Sequence, residues 1–366
     1  GCGDVGLHFA DYGLRTVVYA SDFACPRQEP KLNGNWDVLV VNTESRVDEP
    51  GKAYEKVRAV LSFFRKSGIK QIYKKIDSTL RGNIGPEVDA LFDGLKIERL
   101  PFCAAFPRMG RTTKDGCHYV WGELVTRTEF ARDPRSRVNQ AHIPTLLKGT
   151  SRYYERVEVY DATSQNDLKN IASEIKDYEA VCGASGLAEE LVKYWGKLGA
   201  RRGVKSKIAI SGPGPVLIIS GSTKSIAYEQ IEELKEEEEE VLAVPIDFER
   251  NRVKIPDWEN AMHILVYPKK SSHKLDAEKV LKVLSRLTAE LCQGGLFRNL
   301  ILIGGDTAFS VCQGLGIDTF QIISSVFPGT AYCRTLDRSY NFILKPGGLG
   351  DRKALIRCLR FFYGSR

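Results

Sequence analysis

The sequence predicts an α/β protein of two domains, each with a mainly parallel sheet flanked by helices. Three observations carry that expectation. Short β-branched runs alternate with amphipathic helical stretches along the chain. A length of 366 residues suits two domains of ordinary size. The break Ser211-Gly212-Pro213-Gly214-Pro215 interrupts the alternation, because so dense a Pro/Gly cluster continues neither a helix nor a central strand. The expected domains are therefore 1–205 and 206–366.

In the first half, strands are expected over 16–20, 37–41, 70–76, 99–105, 153–160 and 179–183. Helices are expected over 52–66, 84–95, 165–176 and 187–198. Residues 117–125 break the rhythm and read as a short hairpin turning at Gly122. The chain opens as a loop entering a helix, so the first strand of the N-terminal sheet is expected to be lacking. In the second half the expected strands are 216–220, 241–244, 263–266, 300–303, 320–324 and 342–345. The helices are 225–237, 276–292, 307–314 and 351–362. The acidic run 236–240 sits at a helix end and is expected to face solvent rather than hold a metal.

Composition narrows the function classes. With 43% hydrophobic residues the chain can bury two cores, and a net charge of +7 suits a small anionic substrate. Nucleic-acid binding calls for basic residues clustered with aromatics. The clearest basic run, Arg201, Arg202, Lys205 and Lys207, instead lies beside the linker. Nine cysteines are scattered singly, an odd count with no CxxC pair, which fits neither a disulfide framework nor a zinc site. Cys103, Cys182 and Cys312 sit in apolar runs and read as small buried hydrophobes of a protein in a reducing compartment, the cytoplasm. No apolar run approaches the ~20 residues of a membrane span, and no signal peptide is apparent. Oligomeric state, a homo-oligomer included, is left open.

Several segments carry chemistry. Gly1-Cys2-Gly3-Asp4-Val5-Gly6 matches GxGxxG, and Asp22 follows near the spacing of a ribose-binding acid, which raises a nicotinamide dehydrogenase as one alternative. The strand required before the first glycine is missing from the pattern. Lys74 to Asn83, KKIDSTLRGN, gathers a carboxylate, hydroxyls and a guanidinium just past a strand, where open α/β sheets bind ligands. There Arg81 is placed to clamp a substrate carboxylate, while Asp77 and Ser78 hold sugar hydroxyls. The segment 105–113 supplies Arg108, Arg111, Thr112 and Thr113, and 128–134 is a polar loop of the same kind. In the second half, 219–223, 302–308 and 344–351 each run from strand through glycine turn toward helix, a geometry that favours phosphate oxygens. None of the three is a P-loop. A non-catalytic sugar-acid sensor, which would keep the Arg81 pocket without turnover, is the other alternative.

Six blocks in order resemble the four-carbon acid sugar kinases, through nearly the whole chain. The most specific is YKKIDSTLRGNIGPEVDALF at 73–92, supported by AFPRMGRTTKDGCHYVWG at 105–122 and TEFARDP at 128–134. IISGSTKSIAYEQI at 218–231, IGGDTA at 303–308 and LKPGGLGD at 344–351 resemble the nucleotide half. The resemblance implies an N-terminal sugar-acid domain and a C-terminal ATP domain. It also implies transfer of the γ-phosphoryl group, with Mg²⁺, to a terminal hydroxyl of a four-carbon acid. It places Asp77 as the catalytic residue and Ser78 and Arg81 on the substrate. Ser222, Gly304, Gly305, Asp306, Thr307 and Gly347 fall on nucleotide-contacting turns, and the metal ligands are unassigned. This chain departs from the family pattern where an opening acidic pair is usual, at Lys224 for a small hydroxyl residue, and at Asp306 for a frequent Glu.

Overall fold

The computed structural model describes residues 2–20, 35–199, 214–248, 261–271 and 275–364. Gly1, Asp22, Cys25, the basic run from Arg201 to Lys207 and the first three residues of the Pro/Gly break lie outside the described residues. In chain order the described elements begin with α1 (Cys2–Asp11), β1 (Thr16–Tyr19), β2 (Val38–Val41), α2 (Pro50–Lys66), β3 (Ile72–Lys75) and α3 (Ile84–Leu95). There follow β4 (Leu100–Cys103), β5 (Arg111–Lys114), β6 (Cys117–Val120), β7 (Glu123–Leu124), α4 (Ile143–Thr150), β8 (Val157–Val159), α5 (Gln165–Ile175), β9 (Ala180–Gly183) and α6 (Ser185–Gly199). The second half holds β10 (Val216–Ser220), α7 (Ser225–Glu237), β11 (Val241–Ile246), β12 (His263–Pro268), α8 (Ala277–Cys292) and β13 (Asn299–Ile303). It ends with α9 (Gly305–Gly314), β14 (Thr319–Phe327), β15 (Thr330–Thr335), β16 (Asn341–Lys345) and α10 (Ala354–Phe361).

The chain divides into two compact units. The first is organised by a parallel sheet in the order β3-β9-β4-β8, with Ile72 opposite Ala180 and Phe102 opposite Cys182. All four residues of β4 and of β9 are buried, as expected of parallel strands covered on both faces. Ile72, Val88, Leu91, Leu100, Phe102 and Ile143 belong to the core beside it. Helix α5 starts at a capping box: Ser164 Oγ accepts from the Asp167 N–H, and the Asp167 carboxylate accepts from the Ser164 N–H. A separate antiparallel sheet, β5-β6-β7, turns at Asp115-Gly116 and again at Trp121-Gly122, each pair with positive φ. The second turn is the expected hairpin. The first was announced by the Asp-Gly dipeptide, and β5 went unread.

The second unit holds a mixed sheet in the order β11-β12-β10-β13-β16-β15-β14-β1-β2. Its first five strands are parallel, and β10 and β13 are wholly buried, Val, Leu and Ile apart from Ser220 and Asn299. From β16 onward β15, β14 and β1 pair antiparallel. Here the division departs from a clean cut at 205. Although they lie early in the chain, β1 and nearly all of β2 belong to the second unit. The physical reason is edge satisfaction: Thr16–Tyr19 pairs residue for residue with Thr319–Ile322, covering the outer edge of the nine-residue β14.

Other differences have local causes. The strand expected over 153–160 shortens to Val157–Val159 because Tyr154–Arg156 form a 3-10 turn. Helix α4 and strand β15 were not expected. Gly3, Asp4 and Gly6 lie inside helix α1 rather than in a strand-to-helix turn, so the dinucleotide alternative loses its loop. The acidic run ends in an ion-pair seam with α10: Glu237 faces Lys353 at 2.5 Å, and Glu238 faces Arg360 at 2.9 Å. Among the described residues no helix is long and apolar enough to cross a membrane.

Candidate active site

Because β3, β9 and β4 are parallel neighbours, their carboxyl ends lie on one side of the first sheet. A cavity of about 160 Å³ opens there, lined by Asp4, Lys75, Ser78, Phe106, Met109, Arg111 and Ser185. Each strand contributes. Lys75 and Ser78 follow from β3, Phe106 to Arg111 from β4, and Ser185 begins the helix that leaves β9. Asp4 comes from α1, and its carboxylate lies 3.9 Å from Lys75 Nζ. Burial alone would raise the Asp4 carboxyl, but Lys75 and His8 hold it below its ordinary value. His8 Nε2 lies 3.1 Å from Ser185 Oγ, and burial keeps that imidazole's pKa low.

Of the three residues singled out in this half, Ser78 lines the cavity. Its carbonyl accepts a 2.8 Å hydrogen bond from Nε2 of the buried His118, whose Nδ1 is 3.0 Å from Thr113 Oγ1. Burial lowers the His118 pKa, which suits a neutral ring donating at one nitrogen and accepting at the other. Asp77 and Arg81 turn toward each other instead. Arg81 Nε and Nη2 donate to the two Asp77 oxygens at 2.9 and 3.1 Å, while Nη1 donates to Asp133 at 2.9 Å. Thr79 Oγ1 also donates to Asp77, and the guanidinium stands 5.1 Å from the centroid of Phe130. Burial would raise the Asp77 carboxyl, but the Arg81 fork outweighs it and holds the pKa far below the ordinary carboxylate value.

In the second unit β10, β13 and β16 are adjacent and parallel, so their glycine turns also meet on one side. Gly221 N–H donates to Ile303 O at 3.2 Å, and Gly304 N–H donates to Lys345 O at 2.9 Å. A Cβ at Gly347 would stand 2.4 Å from Ser222 Oγ, and one at Gly221 would stand 2.2 Å from Thr307 Oγ1. The fold thus brings Ser222, Gly304, Thr307 and Gly347 together; Gly305 and Asp306 lie exposed in the first turn of α9. Gly304 has φ +105°, which an L side chain rarely adopts. The loop after β16 is braced from below. Buried Lys345 donates to Pro346 O and Leu349 O at 3.2 and 2.9 Å, and Gln230 Nε2 donates to Leu349, Gly350 and Asp351 carbonyls. Burial lowers the Lys345 pKa to about 8. Ser220 Oγ, fully buried at the end of β10, makes no hydrogen bond among the described residues. Backbone amides at a helix start, close glycines and an unused hydroxyl fit phosphate oxygens.

Sequence reading passed over Asp4, Lys75 and Ser185 as ligand contacts and named Arg111 only as one arginine of a polar segment. The signal was present: Lys75 and Arg111 fall in the two most specific blocks, and Gly183-Ala184-Ser185-Gly186 is another strand-turn-helix.

A small cation-lined cavity in one unit and a glycine cradle in the other fit a two-domain phosphotransferase. The chain belongs to the four-carbon acid sugar kinase family. Models of a sugar-binding N-terminal domain and a nucleotide-binding C-terminal domain match residues 1–157 and 217–355. The chain is 28% identical to the D-threonate kinase of Bordetella bronchiseptica, over 98% of this chain and 94% of that one. It is 25% identical to the 3-oxo-tetronate kinase of Brucella melitensis, over 96% and 91%. A solved Haemophilus influenzae structure has the same fold, with a TM-score of 0.79 at 22% identity, covering 99% of this chain and 98% of that one.

Proposed function

We propose that this protein transfers the γ-phosphoryl group of ATP to a terminal hydroxyl of a four-carbon sugar acid. The observation that carries the reading is the cavity of the first unit. At about 160 Å³ it matches a cavity that takes a benzene-sized molecule, the scale of a small hydroxy acid rather than a nucleotide. Its wall offers two cations for an acid and two serine hydroxyls for a polyol.

Phosphoryl transfer asks the protein for positioning and charge neutralisation more than for covalent help. Ser78 and Ser185 hold substrate hydroxyls, and Asp4 orients the attacking one. Asp77, already saturated by Arg81 and Thr79 and held ionised, is a weak base. It acts with Arg81 as a positioning pair that fixes the loop carrying Ser78. In the second unit Ser222, Gly304, Gly305, Asp306, Thr307 and Gly347 hold the phosphates of ATP. Mg²⁺ would accompany the nucleotide and neutralise phosphate charge there. The reaction runs in the cytoplasm, in keeping with seven free cysteines among the described residues.

The test is acid-dependent ADP release by the full chain with D-threonate, D-erythronate, 3-oxo-tetronate and 4-hydroxythreonine. One of these is expected to give stoichiometric ADP and a monophosphorylated acid. A protein that binds ATP yet releases no acid-dependent ADP with any of them sinks the reading.

A further inference from the structure

Arg81, Arg108 and Arg111 belong to the two sequence blocks that contribute to the cavity wall, and their partners differ. Arg81 is engaged by two carboxylates, and Arg108 by Glu189. Arg111 has no carboxylate within ion-pair distance among the described residues. Its Nη1 donates to Met109 O, and its Nε is buried without a hydrogen-bond partner. Its position is fixed from both sides. The backbone N–H of Arg111 bonds to Phe106 O at 3.1 Å, and its guanidinium lies 5.9 Å from the centroid of Trp121. Arg111 lines the cavity, and so does Lys75.

Arg111 is half-buried, and its buried Nε is a charged donor left unused among the described residues, which points to an anion that arrives from outside. We infer that Arg111, rather than Arg81, reads the carboxylate of the substrate, with Lys75 as the second charge. This rests on the sugar-acid reading of the cavity. It divides the labour of the two arginine-bearing blocks. Arg81 braces the loop after β3, whereas Arg111, at the start of β5, selects acids over neutral polyols. Arg is suited to the task because its planar fork meets a carboxylate at two points, which lysine cannot reproduce.

The experiment compares Arg111→Lys, Arg111→Gln and Arg81→Gln in the full chain. Binding of D-threonate, D-erythronate and the neutral amide of each is measured by calorimetry without nucleotide. The kcat/KM for acid and amide is measured with ATP, and melting temperature is recorded. Arg111→Gln is expected to weaken the acid about ten- to a hundredfold, in binding and in KM, while leaving the amide and the KM for ATP nearly unchanged. Arg111→Lys should recover only part of the loss. Arg81→Gln should lower the melting temperature and affect acid and amide alike. The inference is overturned if Arg111→Gln keeps the preference for acid over amide, or if Arg81→Gln alone abolishes it. It is also overturned if the wild-type chain binds neither acid. Acid binding that depends on Arg111 but brings no ADP release supports the inference and sinks the kinase reading, so the two fail separately.

Discussion

At the scale of single residues, the first unit separates groups that face the cavity from groups that hold them. Asp77 and Arg81 are one-fifth exposed and tied together, so their interaction is a matter of loop stability. Replacing Asp77 by Asn is expected to cost about 1.5–3 kcal/mol at neutral pH, the range for hydrogen bonds to a charged group. The pH dependence follows from linkage. Because the folded carboxyl titrates below its ordinary value of 3.8, its contribution is complete above about pH 4 and is lost as pH falls through the folded value. Denaturant titrations should therefore show the deficit of Asp77→Asn at pH 7 and a shrinking deficit between pH 4 and pH 2. A constant deficit across that range would mean that packing, not the ion pair, was lost.

At the scale of elements, both candidate sites are built the same way: three parallel neighbours end on one side, and the turns after them supply the ligand groups. Glycine has two separable uses in the turn after β13. Gly304 is required by its own backbone, φ +105°, whereas Gly305 has nothing within 4 Å of a built Cβ and an ordinary conformation. Gly304→Val is expected to destabilise the protein by about 1–3 kcal/mol through strain. Gly305→Val should leave the melting temperature within about 2–4 °C of wild type and raise the KM for ATP at least about tenfold. Unchanged ATP affinity in a folded Gly305→Val protein would move the nucleotide away from this turn. Loop, helix and strand were all legible here because Gly-Gly at the end of an apolar run has few other readings.

At the scale of the whole molecule, the second sheet is completed by strands that arrive from the other end of the chain. A fragment covering 206–366 lacks β1 and β2 and exposes the outer edge of β14 at Thr319–Ile322. It is expected to be less soluble and less stable than the second unit in the intact chain, aggregating through that edge. Size-exclusion chromatography and thermal melts of the fragment against the full chain provide the check. A monomeric fragment that melts with the intact protein would show that β1 and β2 add nothing to the sheet.

The sequence by itself determined the α/β class, nearly all of the helices and strands, and the family. Each is written in local periodicity, turn residues or contiguous motifs. Helix α3 and strand β10 fall on the residues expected from pattern alone, because apolar spacing and flanking polar residues agree there. The tertiary structure decided which polar residues line the cavity. The block containing Asp77, Ser78 and Arg81 reads as three contacts, yet the fold turns two of them onto each other because Asp133 and Phe130 lie beside them. Conversely, Asp4, Lys75, Arg111 and Ser185 are scattered between positions 4 and 185 and meet only when β3, β9 and β4 align and α1 packs on α6. No local pattern records which partner saturates a charge, since that partner is chosen by long-range packing; so the fold was legible in sequence and the division between paired residues and cavity-lining residues was not.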